Sequence, residues 1–192
     1  MNMRCAARVR FLRCCAWLLS FALLPIAAQA AENGVASWSR ADSLFNAFQV
    51  LCNLRDPDMR QLSAQAIAMR MDVLEDVSET TRSGETVQRK GWLGLLGDDP
   101  FALRVEEMRG AKGIATSCAI EGPVPDPDAF RTMAMNKLHL NGSPERQMVD
   151  GEPTYYWDNY AGTGMTIVMR DAVRPSSRFV QVKLINMVKK DR

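Results

Sequence analysis

Two cysteines constrain this chain more than any other feature. Five occur in all, but Cys5, Cys14 and Cys15 lie in a leader that is expected to be removed. Residues 1–13 carry Arg4, Arg8, Arg10 and Arg13 and no acid. AWLLSFALL follows, then PIAAQA. A basic start, a short apolar run and Ala28-Gln29-Ala30 form the pattern of a secretory signal peptide cleaved after Ala30. The apolar run falls short of the roughly 20 residues that a membrane-spanning helix needs. The expected location is the periplasm or the medium, with no membrane span after cleavage.

Cys52 and Cys118 then remain alone in an oxidising compartment, where two thiols most simply form a disulfide. Local patterns agree. On a helix over 41–54, Leu44, Phe45, Phe48, Leu51 and Cys52 share a face. On a strand over 113–121, Ile114, Thr116, Cys118 and Ile120 share one. A Cys52–Cys118 bond between them closes a loop of about 67 residues, worth on the order of 4 kcal/mol in the chain-entropy model. Metal and redox roles are disfavoured, because a single histidine and two distant cysteines are too few for a usual zinc site.

Removing the leader also changes the charge. The full chain has 24 basic and 22 acidic residues. Without the four leader arginines the basic count falls to 20 against the same 22 acids, a net charge of −2. That balance leaves no electrostatic footprint for nucleic acid. Residues 31–192 fit a single domain, with 31–40 as a loose leader.

Along the chain, helices and strands alternate in blocks. Asp56-Pro57-Asp58 is a helix start, with Asp56 as the cap and Pro57 in the first turn. Asp126-Pro127-Asp128 repeats that signal before Phe130, Met133, Ala134 and Leu138, and Asn141-Gly142 is the expected stop. Strands are expected in VQRKGWLGLL (broken by Gly91 and Gly94), FALRVEEM, GIATSCAIEG, PTYYWDNY, GMTIVMR and RFVQVKLINMV. SETTRSGET reads as a turn or loop. The order implies an α+β fold, an antiparallel sheet of about six strands packed against two or three helices, with a single disulfide. The paired Asp-Pro-Asp starts raise an internal duplication of a helix and three strands, but the segments do not align beyond them.

No motif names a reaction. GxSxG, HExxH, the P-loop and GxGxxG are missing. The single histidine, His139, falls away from the apolar face of its helix and is expected in solvent. Met69-Arg70-Met71 and Met133-Ala134-Met135 raise copper chemistry, but helical positions two apart do not face each other. No catalytic residue, metal or cofactor is assigned. Glu75, Asp76, Asp98 and Asp99 are the acids from which a carboxylate pair would have to come.

The strongest candidate contact surface is the aromatic run Tyr155, Tyr156, Trp157 and Tyr160, with Trp92 as a second site. Alternation puts Tyr155 and Trp157 on one side of a strand and Tyr156 on the other, one side a core wall and one a platform. Tyr and Trp are favoured anchors at interfaces. The function expected first is therefore a non-catalytic exported protein that binds another macromolecule: an inhibitor, an immunity-type factor or an envelope accessory factor. A binder of small molecules or lipids, with a pocket between sheet and helices, is the alternative. A carboxylate hydrolase comes last.

Overall fold

A computed structural model describes residues 40–54, 58–174 and 177–189 of the chain. The expected leader lies outside the described residues, as do 31–39. Among the described residues the fold is α+β, with three helices and one antiparallel sheet. Helix α1 occupies residues 40–51. Then come α2 (Met59–Ala68), β1 (Asp72–Thr80), β2 (Thr86–Leu96), β3 (Asp99–Gly110), β4 (Gly113–Pro123), α3 (Pro127–Lys137), β5 (Glu145–Val149), β6 (Glu152–Tyr160), β7 (Met165–Arg174) and β8 (Ser177–Lys189). The sheet has eight strands in the order β1-β2-β3-β4-β8-β7-β6-β5.

Eight strands correct the expected six. The two extra ones, β1 and β5, are the sheet's edges. Eight of the nine β1 residues and four of the five β5 residues are exposed. An edge strand without a covered face has no buried set to alternate with, so its sequence carries no period of two. Polar composition made β5 and the end of β1 look like loop.

Each helix is built by an apolar stripe and local caps. In α1, Leu44, Phe45, Phe48 and Leu51 are buried together with Cys52 just beyond it. Asp58 caps α2, its side chain accepting from the Arg60 amide at 2.8 Å; Asp56 and Pro57 lie outside the described residues. Asp126 caps α3, accepting from the amides of Asp128 at 3.0 Å and Ala129 at 3.1 Å, with Pro127 in the first turn. The stop of α3 comes earlier than Asn141-Gly142. The Leu140 amide bonds back to Met135 O and the His139 amide to Asn136 O, a Schellman ending. His139 takes the left-handed backbone there, at φ 52°. Arg70 plays the same part after α2, at φ 56°. Neither is a glycine, so neither ending announces itself in the sequence.

All three helices lie on one face of the sheet. Cys52 of the α1 end is bonded to Cys118 of β4, with 5.2 Å between their Cα atoms. Beneath the helices Phe101, Leu103, Val105, Ile120, Ile167, Met169, Val180, Val182 and Leu184 form the sheet's contribution to the core. Gly91 and Gly94 do not break β2. A Cβ at Gly94 would stand 2.5 Å from the Phe101 ring, and one at Gly91 would stand 3.0 Å from Glu75 Cγ. Both glycines make room for neighbours. Gly94→Ala is therefore expected to lower stability by about 1–3 kcal/mol through overpacking, as read from the urea midpoint.

The chain repeats one arrangement twice: a helix, then a four-stranded meander. The last strands of the two halves, β4 and β8, pair at the sheet centre. Buried residues correspond across the halves at a constant spacing: Phe101 with Met165, Leu103 with Ile167, Val105 with Met169, Cys118 with Val182 and Ile120 with Leu184. The caps Asp58 and Asp126 correspond as well, and so do Leu62 with Phe130 and Ala66 with Ala134. The Asp-Pro-Asp matches are out of register with these, since Asp58 caps from the third position of its triplet and Asp126 from the first.

Candidate functional site

Strand β6 distributes the aromatic run over both faces. Tyr155 and Trp157 point to the helices. Trp157 is only 5% exposed and stacks on Tyr155 with 6.4 Å between ring centres. A register shift in the β6–β7 pairing follows Trp157; beyond it Tyr160 is partly buried against the core. Trp92 is 4% exposed and lies under the helices. Tyr156 alone of the five points to the other face, where it pairs with Glu145 and Val168. The five aromatic residues thus form no single surface. Four belong to the core wall and one to the open side.

The wall holds a charged clamp with no signal in the sequence. Arg131 of α3 donates to Asp171 of β7 at 2.7 Å and lies 4.0 Å from the centre of the Tyr155 ring. Arg131 also pairs with Asp128 one turn earlier in α3. The Arg131 and Asp171 side chains are only 15% and 12% exposed. Burial pushes the Asp171 carboxyl above its ordinary value, against the opposing pull of Arg131. Burial opposes the charge on Arg131 too, but Asp171 holds that guanidinium above its ordinary value. Asp171 Oδ1 has no hydrogen-bond partner among the described residues. Losing hydration on both sides of such a pair is costly, which is why the pair holds together only while both members are present.

On the other side of the sheet no described element packs. Alternation places Val77, Leu93, Leu95, Met108 and Met187 on this open face, all of them exposed; Leu95 and Met187 reach 67% and 65%. Met108 pairs with Val87 and Ala115, and Ala115 with Met187, so one apolar row crosses four strands. Between that row and Leu93 and Leu95 lies a charged band. Arg104 reaches Glu75 at 3.0 Å and Glu121 at 4.0 Å; outside the band, across the sheet in line with Leu93, Arg170 reaches Glu152 at 2.5 Å. The floor of the band is made of small side chains, Ser117 and Ala119, which leave a hollow of about 230 Å³ under Arg89, Arg104, Glu106 and Lys183.

The acids singled out from sequence each meet a cation or solvent. Glu75 is on Arg104, Asp76 on Lys90 at 3.2 Å, Asp99 on Arg40 at 2.8 Å, and Asp98 is exposed in the β2–β3 turn. Met69 is exposed while Met71 and Met133 are buried. No group of three or more His, Cys, Asp or Glu side chains converges among the described residues. No described helix is long and apolar enough to cross a membrane.

A second concavity lies where the α3 ending meets the β6–β7 turn. Its volume is about 540 Å³, and His139, Asn141, Trp157, Asp158, Asn159 and Tyr160 are among its walls. His139 is exposed there, after the last turn of α3. Sequence pattern finds neither concavity, because each is assembled from segments that only the sheet brings together. Comparison with protein-family models, with curated proteins and with solved structures finds no match to the chain.

Proposed function

We propose that this chain is an exported, non-catalytic protein that binds another macromolecule across the open face of its sheet. One observation carries the reading: the exposed Leu93, Leu95, Met108 and Met187 lie on one uncovered face, in two apolar patches flanking the paired charges around Arg104. Apolar patches rimmed by polar groups mark contact sites on soluble domains, and the core of such a contact is apolar while its charges are matched. Tyr156 adds an aromatic anchor to the same face. The disulfide fits an oxidising compartment.

The test replaces Leu95 and Met187 by Glu, singly and together. Both side chains are largely in solvent, so thermal midpoints should stay within a few degrees of the parent. A partner captured by photo-crosslinking in cells that export the chain, then purified, should bind the double variant roughly thirtyfold more weakly, the loss of about 2 kcal/mol typical of a hot spot. Tyr156→Ala should weaken binding too while leaving the fold intact. Unchanged affinity in the double variant would sink the reading.

A further inference from the structure

We propose that Asn141 is a self-modifying site: the backbone nitrogen of Gly142 attacks its side-chain amide and converts it, with loss of ammonia, to aspartate and isoaspartate. The chemistry needs a carbonyl within reach of the next backbone nitrogen, a nitrogen free to lose its proton, and no bulk around it. The asparagine side chain meets the first need, because attack closes a five-membered ring. The second is met just past α3. The capping bonds of that helix engage the amides of Leu138, His139 and Leu140 and go no further. Among the described residues neither the Asn141 side chain nor the Gly142 amide makes a hydrogen bond. Gly142 meets the third need, since a Cβ added to it would find nothing within 4 Å. Both residues are exposed, so water reaches the ring once it has closed.

Each of the other described asparagines lacks one of these. Asn46 and Asn136 sit inside α1 and α3, where the following amide is held in the helix. The Leu54 amide after Asn53 bonds to Cys52 O at 2.8 Å. Asn159 Oδ1 accepts from the Gly164 amide at 3.1 Å, and the bulky Tyr160 follows it. Asn186 lies in β8 and is followed by Met187, which is paired with Ala115. The atoms balance with water as the one co-reactant. A bond forms from Gly142 N to Asn141 Cγ and the Cγ–Nδ2 bond breaks. The side-chain nitrogen leaves as ammonia, carrying the proton that Gly142 gave up. Water then opens the cyclic imide, at the side-chain carbonyl to give aspartate or at the main-chain carbonyl to give isoaspartate. Either product puts a new negative charge in the wall of the concavity that Asn141 helps to line. Isoaspartate also adds a methylene to the backbone leading into β5, an edge strand paired with β6 alone.

The test ages the full exported chain in neutral buffer made with heavy-oxygen water, beside a synthetic peptide of residues 138–145. After digestion, mass spectrometry reads each asparagine separately, with fragmentation that tells aspartate from isoaspartate. Asn141 should convert first among the described asparagines, giving both products, each with one heavy oxygen. Its rate should lie within about tenfold of the peptide's, a barrier difference under about 1.4 kcal/mol. The rate should climb with pH, because the Gly142 nitrogen must lose its proton. Gly142→Ala should slow conversion about tenfold or more by crowding that nitrogen. Asn141→Gln, which keeps Gly142 and the loop, should abolish it. An intact Asn141 while the peptide converts, aspartate without isoaspartate, or a rate unmoved by Gly142→Ala would each overturn the proposal.

Discussion

Replacing Cys52 and Cys118 together by Ala is expected to lower the unfolding free energy by about 4 kcal/mol. The two sit 66 positions apart, so the bond excludes a large share of the open conformations of the unfolded chain. It also anchors α1, which enters the core through Phe45 and Phe48 and lies against the sheet centre. Both cysteines are fully buried, so reductant should reach the bond only through unfolding. Urea titration of the parent and the double variant checks the magnitude. The variant should also show a steeper denaturant dependence, because its unfolded state is more expanded. Equal midpoints would mean that the bond adds nothing to packing that already holds α1 in place.

Arg131→Ala is expected to cost about 3 kcal/mol near neutral pH, since it strands the Asp171 carboxylate in the core wall and strips the cation from the Tyr155 ring. Asp171→Asn should cost less, because a neutral amide needs no counter-ion. The pH dependence gives a second readout. The folded chain holds the Asp171 proton more tightly than the unfolded chain does, as burial raises that carboxyl. Its contribution to stability is therefore full below the ordinary carboxylate range and is lost as pH rises through the raised value. Asp171→Asn removes that slope. Arg131→Ala steepens it, and its cost shrinks in acid, where Asp171 is protonated. A cost for Arg131→Ala that is the same at pH 3 and pH 7 would show that the clamp acts through packing alone.

The parts of the fold legible in sequence were those with one buried and one exposed side. FALRVEEM, RFVQVKLINMV and GIATSCAIEG alternate because helices cover one face of β3, β8 and β4. The α1 stripe and both cysteines were legible for the same reason. β1 and β5 were not, because edge strands bury neither face. Gly91 and Gly94 looked like breaks, but their role depends on Glu75 and Phe101 across the strand pairs, which spacing along one strand does not reveal. The internal repeat was hidden because the Asp-Pro-Asp triplets align at one spacing, the buried helix residues at a second and the buried strand residues at a third. Of the candidate site, the opposite facing of Tyr155 and Tyr156 was legible from alternation. The Arg131–Asp171 clamp was not, because nothing in either segment marks it. Which face of β6 the helices cover was not legible either, and that assigns Trp157 to the core and leaves Tyr156 on the open side.

The chain's own methionines test the open face most directly. Met108 and Met187 lie on it, while Met69 follows α2 and Met148 sits at the β5 edge with its side chain toward the helices' side; all four are exposed. Mild peroxide converts exposed methionines to sulfoxides, and mass spectrometry reads each site separately. With a purified partner bound, oxidation of Met108 and Met187 should slow severalfold while Met69 and Met148 react as in the free chain. Protection of Met69 or Met148, with Met108 and Met187 still reacting freely, would place the partner elsewhere and contradict the account.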